Sequence, residues 1–487
     1  MARMDQLVDD VVTAFRARLV AVVSEMGEAR DAASFTECER TLVAMARELA
    51  AEMTGRVLQA VSDDAERRKE ALARVRELAG RRGIEVRTER NRRTPVRTLG
   101  GQIVHVETSY ASSRPRAGKK LEKRGKDGTG VYPVLDQLGI IGRSTPALRL
   151  LVSRAVCEAN SVDSARDLLA EGGVVIDHKA ALRLTYLVTD DALRARGSAM
   201  AKLTKGVAAG PFSGRRVVAA VDGGRVNIRR RVAGRPRKGG RKRFETEWRE
   251  PKILTLYVVD ENGRRDRKVP SVIDGTLGDA DAVFELLRYH LLRMGAHEAQ
   301  SVVFVGDGAK WIWRRTGALR EALGLDPESF HEIVDYFHVV ERLTELSKTQ
   351  DRWGEEARMS WLHTQKKRLK AGDIEAIEDV VRIIGTRKDA DMETESEYWA
   401  RNRERLRYAT FREQKFPIGS GAVESAVRRV INLRMKGASI VWTEEKAEGM
   451  LHLRAHAKSG RWQELESAVL AQTGWRPTAR SPKRSVA

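Results

Sequence analysis

The chain has 487 residues, 41% hydrophobic and 32% charged, with a net charge of +21 at neutral pH. That length allows several buried cores, so two to four domains are expected, and so large a positive excess points to a polyanionic partner, nucleic acid foremost. An apolar run long enough for a membrane span, the apolar core of a signal peptide in "MARMDQLVDDVV", and any grouping of cysteines beyond the isolated Cys38 and Cys157 are all missing from the sequence, which argues against a membrane protein, a disulfide framework or a cysteine zinc site and fits a reducing cytoplasm.

In chain order, residues 1–95 read first as helices, with apolar positions three and four apart in "QLVDDVVTAFRARLVAVVSEM". Residues 96–135 form a short β and basic-loop region. "RTPVRTLGGQIVHVETSY" alternates about a Gly-Gly turn, and "SRPRAGKKLEKRGKDGTG" reads as loop. Residues 136–206 give three helices, "STPALRLLVSRAVCEA", "SVDSARDLLAE" and, after Gly172-Gly173, "DHKAALRLTYLV", the last capped by Asp177. A glycine turn before the last helix is the pattern of a helix-turn-helix, with His178, Lys179, Arg183 and Tyr186 on its reading face. Three packed helices without a DNA contact fit the same text.

From residue 214 the character changes to α/β. "RRVVAAVDGG", "PKILTLYVVDENG" and "RKVPSVID" read as strands, "DADAVFELLRYHLLRMG" as a capped amphipathic helix, "SVVFVGDG" as a buried strand, and "HEIVDYFHVVERL" as a strand that breaks into a helix at Asp335. Between the first two strands, Arg229 to Arg243 holds nine Arg or Lys in fifteen positions. This stretch is expected in a long hairpin. Its centre, Gly234-Arg235-Pro236-Arg237, resembles an AT-hook, so Arg235, Arg237, Arg241 and Lys242 are expected on DNA, by minor-groove insertion or phosphate contact. The tail, 476–487, is basic.

Asp222 follows "VVAAV" and Asp307 follows "VVFVG", each with a glycine after it that is expected to keep space open before the carboxylate. Glu424 lies in the later segment "FPIGSGAVESAVRRVINLRMK". One strand-end Asp is an ordinary turn residue. Two of them with a glutamate on a helix supply the hard oxygen ligands that Mg²⁺ prefers. At about 100° per residue, Val423, Ala426, Val427, Val430 and Leu433 form a stripe facing the sheet, with Glu424, Arg428 and Met435 on its flank. Glu424 also reads as a helix-start acid paired with Arg428.

"AVDGGRVNI", "EWREPKILTLYVVDENG", "VFVGDGAKWIW", "VDYFHVVERL", "NRERLRYA", "FPIGSGAVESAVRRVINLRMK" and "LRAHAKSGRW", in this order, resemble bacterial insertion-sequence transposases of the DDE class, nearest the Kra-type family and more distantly the Mutator-like enzymes. The resemblance covers about Val217 to Trp462. It implies an α/β ribonuclease H-like core, with a mixed sheet and flanking helices, in residues 214–342 and 411–475. An all-α insertion, 343–410, would interrupt the core, and helical and helix-turn-helix-like elements would precede it. It further implies catalytic and metal-ligating acids at Asp222, Asp307 and Glu424, two Mg²⁺ or Mn²⁺ ions, and cleavage and strand transfer of double-stranded DNA by an oligomer of this chain on its element ends, in the bacterial cytoplasm or nucleoid. The family's Asp-x-x-His signature falls on Asp335 and His338, expected to support the ligands together with Arg428. Asp335 is also suited to capping the following helix. Trp353, Trp361 and Trp399 in the insertion suit core packing or base stacking. A stand-alone nuclease using the same acids, and a catalytically silent DNA-binding descendant, stay open as alternatives.

Overall fold

The computed structural model describes residues 2–81, 84–88, 91–115, 130–234, 243–384, 395–437 and 440–472. Arg235, Arg237, Arg241 and Lys242 lie outside the described residues, as does the tail from 473. Among the described residues, no helix is long and apolar enough to cross a membrane. The chain divides into two compact units, one of Met1–Asp191 with the chain end from Glu466, the other of Ala192–Leu465. The expected regions 1–95 and 96–135 and most of 136–206 lie in the first unit, whereas 192–206 fall in the second with most of the expected core and insertion, and the expected core's end from 466 falls in the first.

The first unit opens with α1 (Ala2–Glu28), α2 (Ala32–Asp63) and α3 (Ala65–Gly80). Asp31 starts α2 with a reciprocal capping box to Ser34, and Asp64 caps α3 by accepting from the Arg67 N–H at 3.0 Å. Then come β1 (Ile84–Thr88), β2 (Arg92–Arg97), β3 (Ile103–Thr108), β4 (Ala111–Pro115) and β5 (Gly130–Val131). β2 and β3 form the expected hairpin, in which Arg97 pairs with Ile103. β1, β4 and β5 make a separate antiparallel sheet, and β4 extends into text read from sequence as loop. Helices α4 (Pro133–Gln137), α5 (Pro146–Glu158), α6 (Val162–Glu171) and α7 (His178–Lys202) follow. Leu58, Val96, Val106, Leu135 and Ile140 form one buried cluster, each side chain worth about 1.5–3 kcal/mol of burial. α7 is capped by Asp177, which accepts from the Ala180 N–H at 2.9 Å, and runs to Lys202, well beyond the short reading helix expected.

The second unit is built on one five-stranded sheet. Its strands are β6 (Arg216–Gly223), β9 (Lys252–Val259), β10 (Val272–Thr276), β11 (Ser301–Gly306) and β12 (Phe330–Val334), while β7 (Val226–Arg231) and β8 (Phe244–Arg249) form a two-stranded ribbon between β6 and β9. The order is β10-β9-β6-β11-β12; β9 runs antiparallel to both β10 and β6, and β11 and β12 run parallel to β6. Consecutive residues Val302 to Val305 are all fully buried, so both faces of the sheet are covered. The cover comes from α8 (Ala280–Arg293), α9 (Lys310–Leu323), α15 (Gly421–Val427), α16 (Glu444–Lys458) and the start of α17 (Trp462–Ala471). The expected insertion is helical: it takes in the later part of α10 (Tyr336–Lys348), which starts within the expected core, then α11 (Glu355–Ala371), α12 (Ile374–Ile384), α13 (Glu395–Asn402) and the start of α14 (Tyr408–Glu413). Trp399 is fully buried there, as core packing requires, while the half-buried Trp353 and Trp361 meet at a tilt with ring centroids 5.5 Å apart.

One expectation fails for a local reason. After α15 the helix passes into a π turn, Arg428–Asn432, in which the Leu433 N–H donates to the Arg428 carbonyl five residues back. The wider turn shifts the phase of everything after it. Leu433, placed by a regular helix against the sheet, is 54% exposed, while Met435, placed on the flank, is fully buried. Met435→Ala is therefore expected to cost about 2–5 kcal/mol, and Leu433→Ala about 0.5 kcal/mol or less, in urea midpoints.

Candidate active site

Three acids are brought to one edge of the sheet by strand register alone. Ala220 pairs with Val305, so two residues on, Asp222 stands beside Asp307; Gly306 pairs with Val334, so one residue on, Asp307 stands beside Asp335. Neighbouring strands lie about 4.8 Å apart, so the carboxylates form a row at the carboxyl ends of β6, β11 and β12. The fourth acid comes from α15, which packs on β6 and β9.

Each acid is held differently. Asp222 accepts from its neighbour Gly223 N–H at 2.7 Å, and Asp307 accepts from the Ala309 N–H at 2.9 Å. Burial pushes the Asp222 carboxyl up, and the nearby charges of Asp307 and Glu424 push it further, while the Gly223 N–H and His338 oppose them. Three carboxylates that repel one another in this way form a site that a cation would relieve.

Asp335 is fully buried and caps α10, accepting from the Phe337 N–H at 2.6 Å and the His338 N–H at 3.3 Å. Its second oxygen accepts from the Ser420 N–H. The Ser420 hydroxyl in turn donates to Glu424 Oε1 at 3.2 Å. A chain of contacts therefore runs from the end of β12 through Ser420 to Glu424. Glu424 makes no ion pair with Arg428 among the described residues, so the helix-start reading lacks its partner. Arg428 is exposed at the start of the π turn.

Ligand atoms of Asp335, His338 and Glu424 lie within 4.8 Å of one another. The chemistry of two of them opposes their being the ligands. Both Asp335 oxygens are already accepting backbone N–H groups. His338 lies with Nδ1 3.7 Å from Asp335, and chiefly that contact, with the charge of Asp307, raises its imidazole to about 9. A protonated imidazole repels a metal ion and supplies a counter-charge instead. Asp222, Asp307 and Glu424 supply the hard oxygens that Mg²⁺ or Mn²⁺ would take, but among the described residues these three are not grouped within that same 4.8 Å; Glu424 is grouped with Asp335 and His338 instead.

The glycines after the two strand acids do not leave space open. A β-carbon on Gly308 would lie 2.1 Å from the Tyr398 ring, and one on Gly223 would lie 2.2 Å from the Glu250 carboxylate. They let neighbours close in. Tyr398, buried under Arg342 at 3.9 Å, forms a wall beside Asp307, and Arg401 donates to the Gly308 carbonyl at 3.1 Å. Sequence reading missed Tyr398 and Ser420. "GSG" reads as a turn, and Tyr398 sits in a helix with no motif of its own.

In the first unit, Lys179 and Arg183 are exposed one turn apart on α7, and Tyr186 is half-buried beside them. His178 is turned to Asp163 at 3.2 Å, which ties α7 to α6 and takes it out of the expected reading set. Comparison of the chain with protein-family models, curated proteins and solved structures gave no match.

Proposed function

We propose that the chain is a DDE transposase with a ribonuclease H-like core, cutting and joining DNA at the ends of its own element. The observation that carries this is the convergence of Asp222 and Asp307, in register on parallel strands, with Glu424 on a helix against them. The strand order supports the core assignment. Numbered along the chain without the ribbon it is 3-2-1-4-5, with the first three strands antiparallel and the last two parallel to the first. The quoted sequence blocks support the family.

In this reading Asp222, Asp307 and Glu424 hold two Mg²⁺ or Mn²⁺ ions. Such ions, when bound, activate a water or 3′-hydroxyl and stabilise the leaving oxygen of phosphoryl transfer. The protein's own part is positional. Asp335 fixes the start of α10 and, through Ser420, the helix that presents Glu424. Protonated His338 balances the acidic edge and is placed to face a phosphate. Lys179 and Arg183 take element-end DNA, and the segment holding Arg235, Arg237, Arg241 and Lys242 adds phosphate contacts. The protein works as an oligomer on DNA in the cytoplasm.

Cleavage of DNA taken from the flanks of its coding region is expected with Mg²⁺ or Mn²⁺. Ca²⁺ is expected to permit binding with little cutting, and excess chelator to stop it. Binding is expected to weaken steeply with salt. Full cutting in chelator would reject the metal mechanism, and a flat dependence of log K on log salt would reject phosphate as the partner of the positive charge.

A further inference from the structure

The β7–β8 ribbon leaves the sheet four residues after Asp222, and its two faces differ in kind. Asn227 pairs with Trp248, Arg229 with Thr246 and Arg231 with Phe244. Opposed residues share a face and alternate residues return to it, so these six make one surface. The other face is satisfied within the protein. Val226 and Ile228 are buried, Arg230 meets Glu247 at 2.8 Å, and Arg249 lies 3.7 Å from both Glu247 and Glu444.

The first face is not satisfied. It carries no carboxylate, and neither Arg229 nor Arg231 has an acidic partner among the described residues. Trp248 is 56% exposed and Phe244 is 46% exposed, each costly to leave in water. A ligand for this face must offer flat apolar surfaces and negative charge in alternation. An acidic peptide offers the charge without the flat surfaces. A paired duplex offers phosphates but keeps its base faces stacked inside. Unpaired DNA offers both.

We propose that this face is a stacking platform for unpaired nucleotides next to the scissile phosphate. Trp248 and Phe244 take base faces, and Arg229 and Arg231 take the phosphates between them. The two aromatics are four residues apart on β8, about 13 Å along the strand, which keeps their bases separate. The site rests on the transposase reading for its DNA substrate. It adds that the strands are held apart where they are cut, and that this chain's own ribbon does the holding.

The test uses the full-length protein and fluorescent oligonucleotides, one single-stranded and one fully paired at equal length, in Ca²⁺. Trp248→Ala is expected to weaken single-strand binding about tenfold and to leave duplex binding within about twofold. Trp248→Phe, which keeps a ring, is expected to recover most of the loss. Arg229→Ala with Arg231→Ala is expected to weaken both substrates and to lower the salt slope by about two. Melting temperatures of the Trp248 variants should match the parent, since the side chain is mostly in solvent. Unchanged single-strand affinity in Trp248→Ala, or equal loss on both substrates, would overturn the platform. If the parent still cuts DNA with metal in that case, the platform alone falls. If the parent binds neither substrate, the transposase reading falls with it.

Discussion

Asp222→Asn, Asp307→Asn and Glu424→Gln are each expected to lower metal-dependent DNA cleavage by orders of magnitude while leaving melting and DNA binding near the parent's. Each change keeps size and removes a charge that, in the proposed reading, would hold the cation. The fold gives a reason to expect intact melting. Asp222 and Asp307 each accept one backbone N–H in a strand-end turn, which an amide oxygen can also accept. Removing one of the mutually repelling carboxylates relieves the field that helps raise Asp222, so the metal-free protein is expected to be as stable or slightly more stable. Glu424→Asp is expected to fail as well, because a side chain shorter by one methylene, about 1.5 Å, withdraws its oxygens from bonds of about 2.0–2.1 Å. Glu413 and Glu444, outside the site, are expected to tolerate Gln. Asp335→Asn should separate from this group: an amide cannot accept at both of its positions, so it is expected to lose stability, by about 1–3 kcal/mol, along with activity.

Asp274→Asn carries the largest expected cost to folding. The carboxylate sits fully buried on β10. His290 Nε2 lies 2.9 Å from one oxygen, and His452 Nδ1 at 3.1 Å and Arg196 at 3.3 Å share the other. Arg196 also donates to Glu448 at 2.5 Å, whose second oxygen accepts from the Leu277 N–H at 2.6 Å. Burial raises the Asp274 carboxyl, but His452, Arg196 and His290 outweigh it and hold it well below the usual range. His452 is itself lowered by burial, so at neutral pH it serves as a neutral N–H donor and Arg196 is the lasting cation. Breaking such a buried set by removing its only central anion is expected to cost about 3–5 kcal/mol. Truncation before residue 205 would remove Arg196 and do similar damage, so Lys179→Ala with Arg183→Ala is the cleaner probe of end recognition.

The same network fixes the direction of the acid response. Burial lowers His290 from its ordinary value to about 4. A folded value below the unfolded one means that the unfolded chain binds the proton first. The stabilisation is complete above pH ~6.5 and is lost as pH falls toward 4, by roughly 2–4 kcal/mol for this residue. His452 and His456, both lowered chiefly by burial, act in the same direction. Urea midpoints should therefore fall between pH 7 and 5. The slope should persist in Asp274→Asn, because burial and not Asp274 depresses the imidazoles.

What could be read from sequence, and what could not, divides along physical lines. The strand acids were legible because a buried strand is a continuous apolar run, and a carboxylate at its end interrupts that run. The insertion was legible as helices, and Trp399 as core. The phase change before Met435 was not, because apolar spacing assumes 3.6 residues per turn throughout and a π turn leaves no mark in composition. The Asp274 network was invisible for a different reason: its partners lie 16, 78 and 178 residues away in the chain. The ribbon was visible as a basic hairpin, yet the separation of its satisfied face from Arg229, Arg231, Phe244 and Trp248 appears only once the register is fixed. The expectation that Gly308 leaves open space failed because Tyr398, ninety residues on, fills it.

Metal-dependent cutting and joining of DNA by Asp222, Asp307 and Glu424 together is the proposed activity. Its most direct test is a strand-joining assay with labelled DNA ends from the flanks of the coding region and a supercoiled target plasmid. Parent and Glu424→Gln proteins of equal melting temperature are compared in Mg²⁺, in Mn²⁺ and in chelator. The expected result is labelled plasmid with the parent in either metal, and none in chelator or with Glu424→Gln. Joining by Glu424→Gln at the parent's level, or a folded, DNA-binding parent that neither cuts nor joins in either metal, would contradict it.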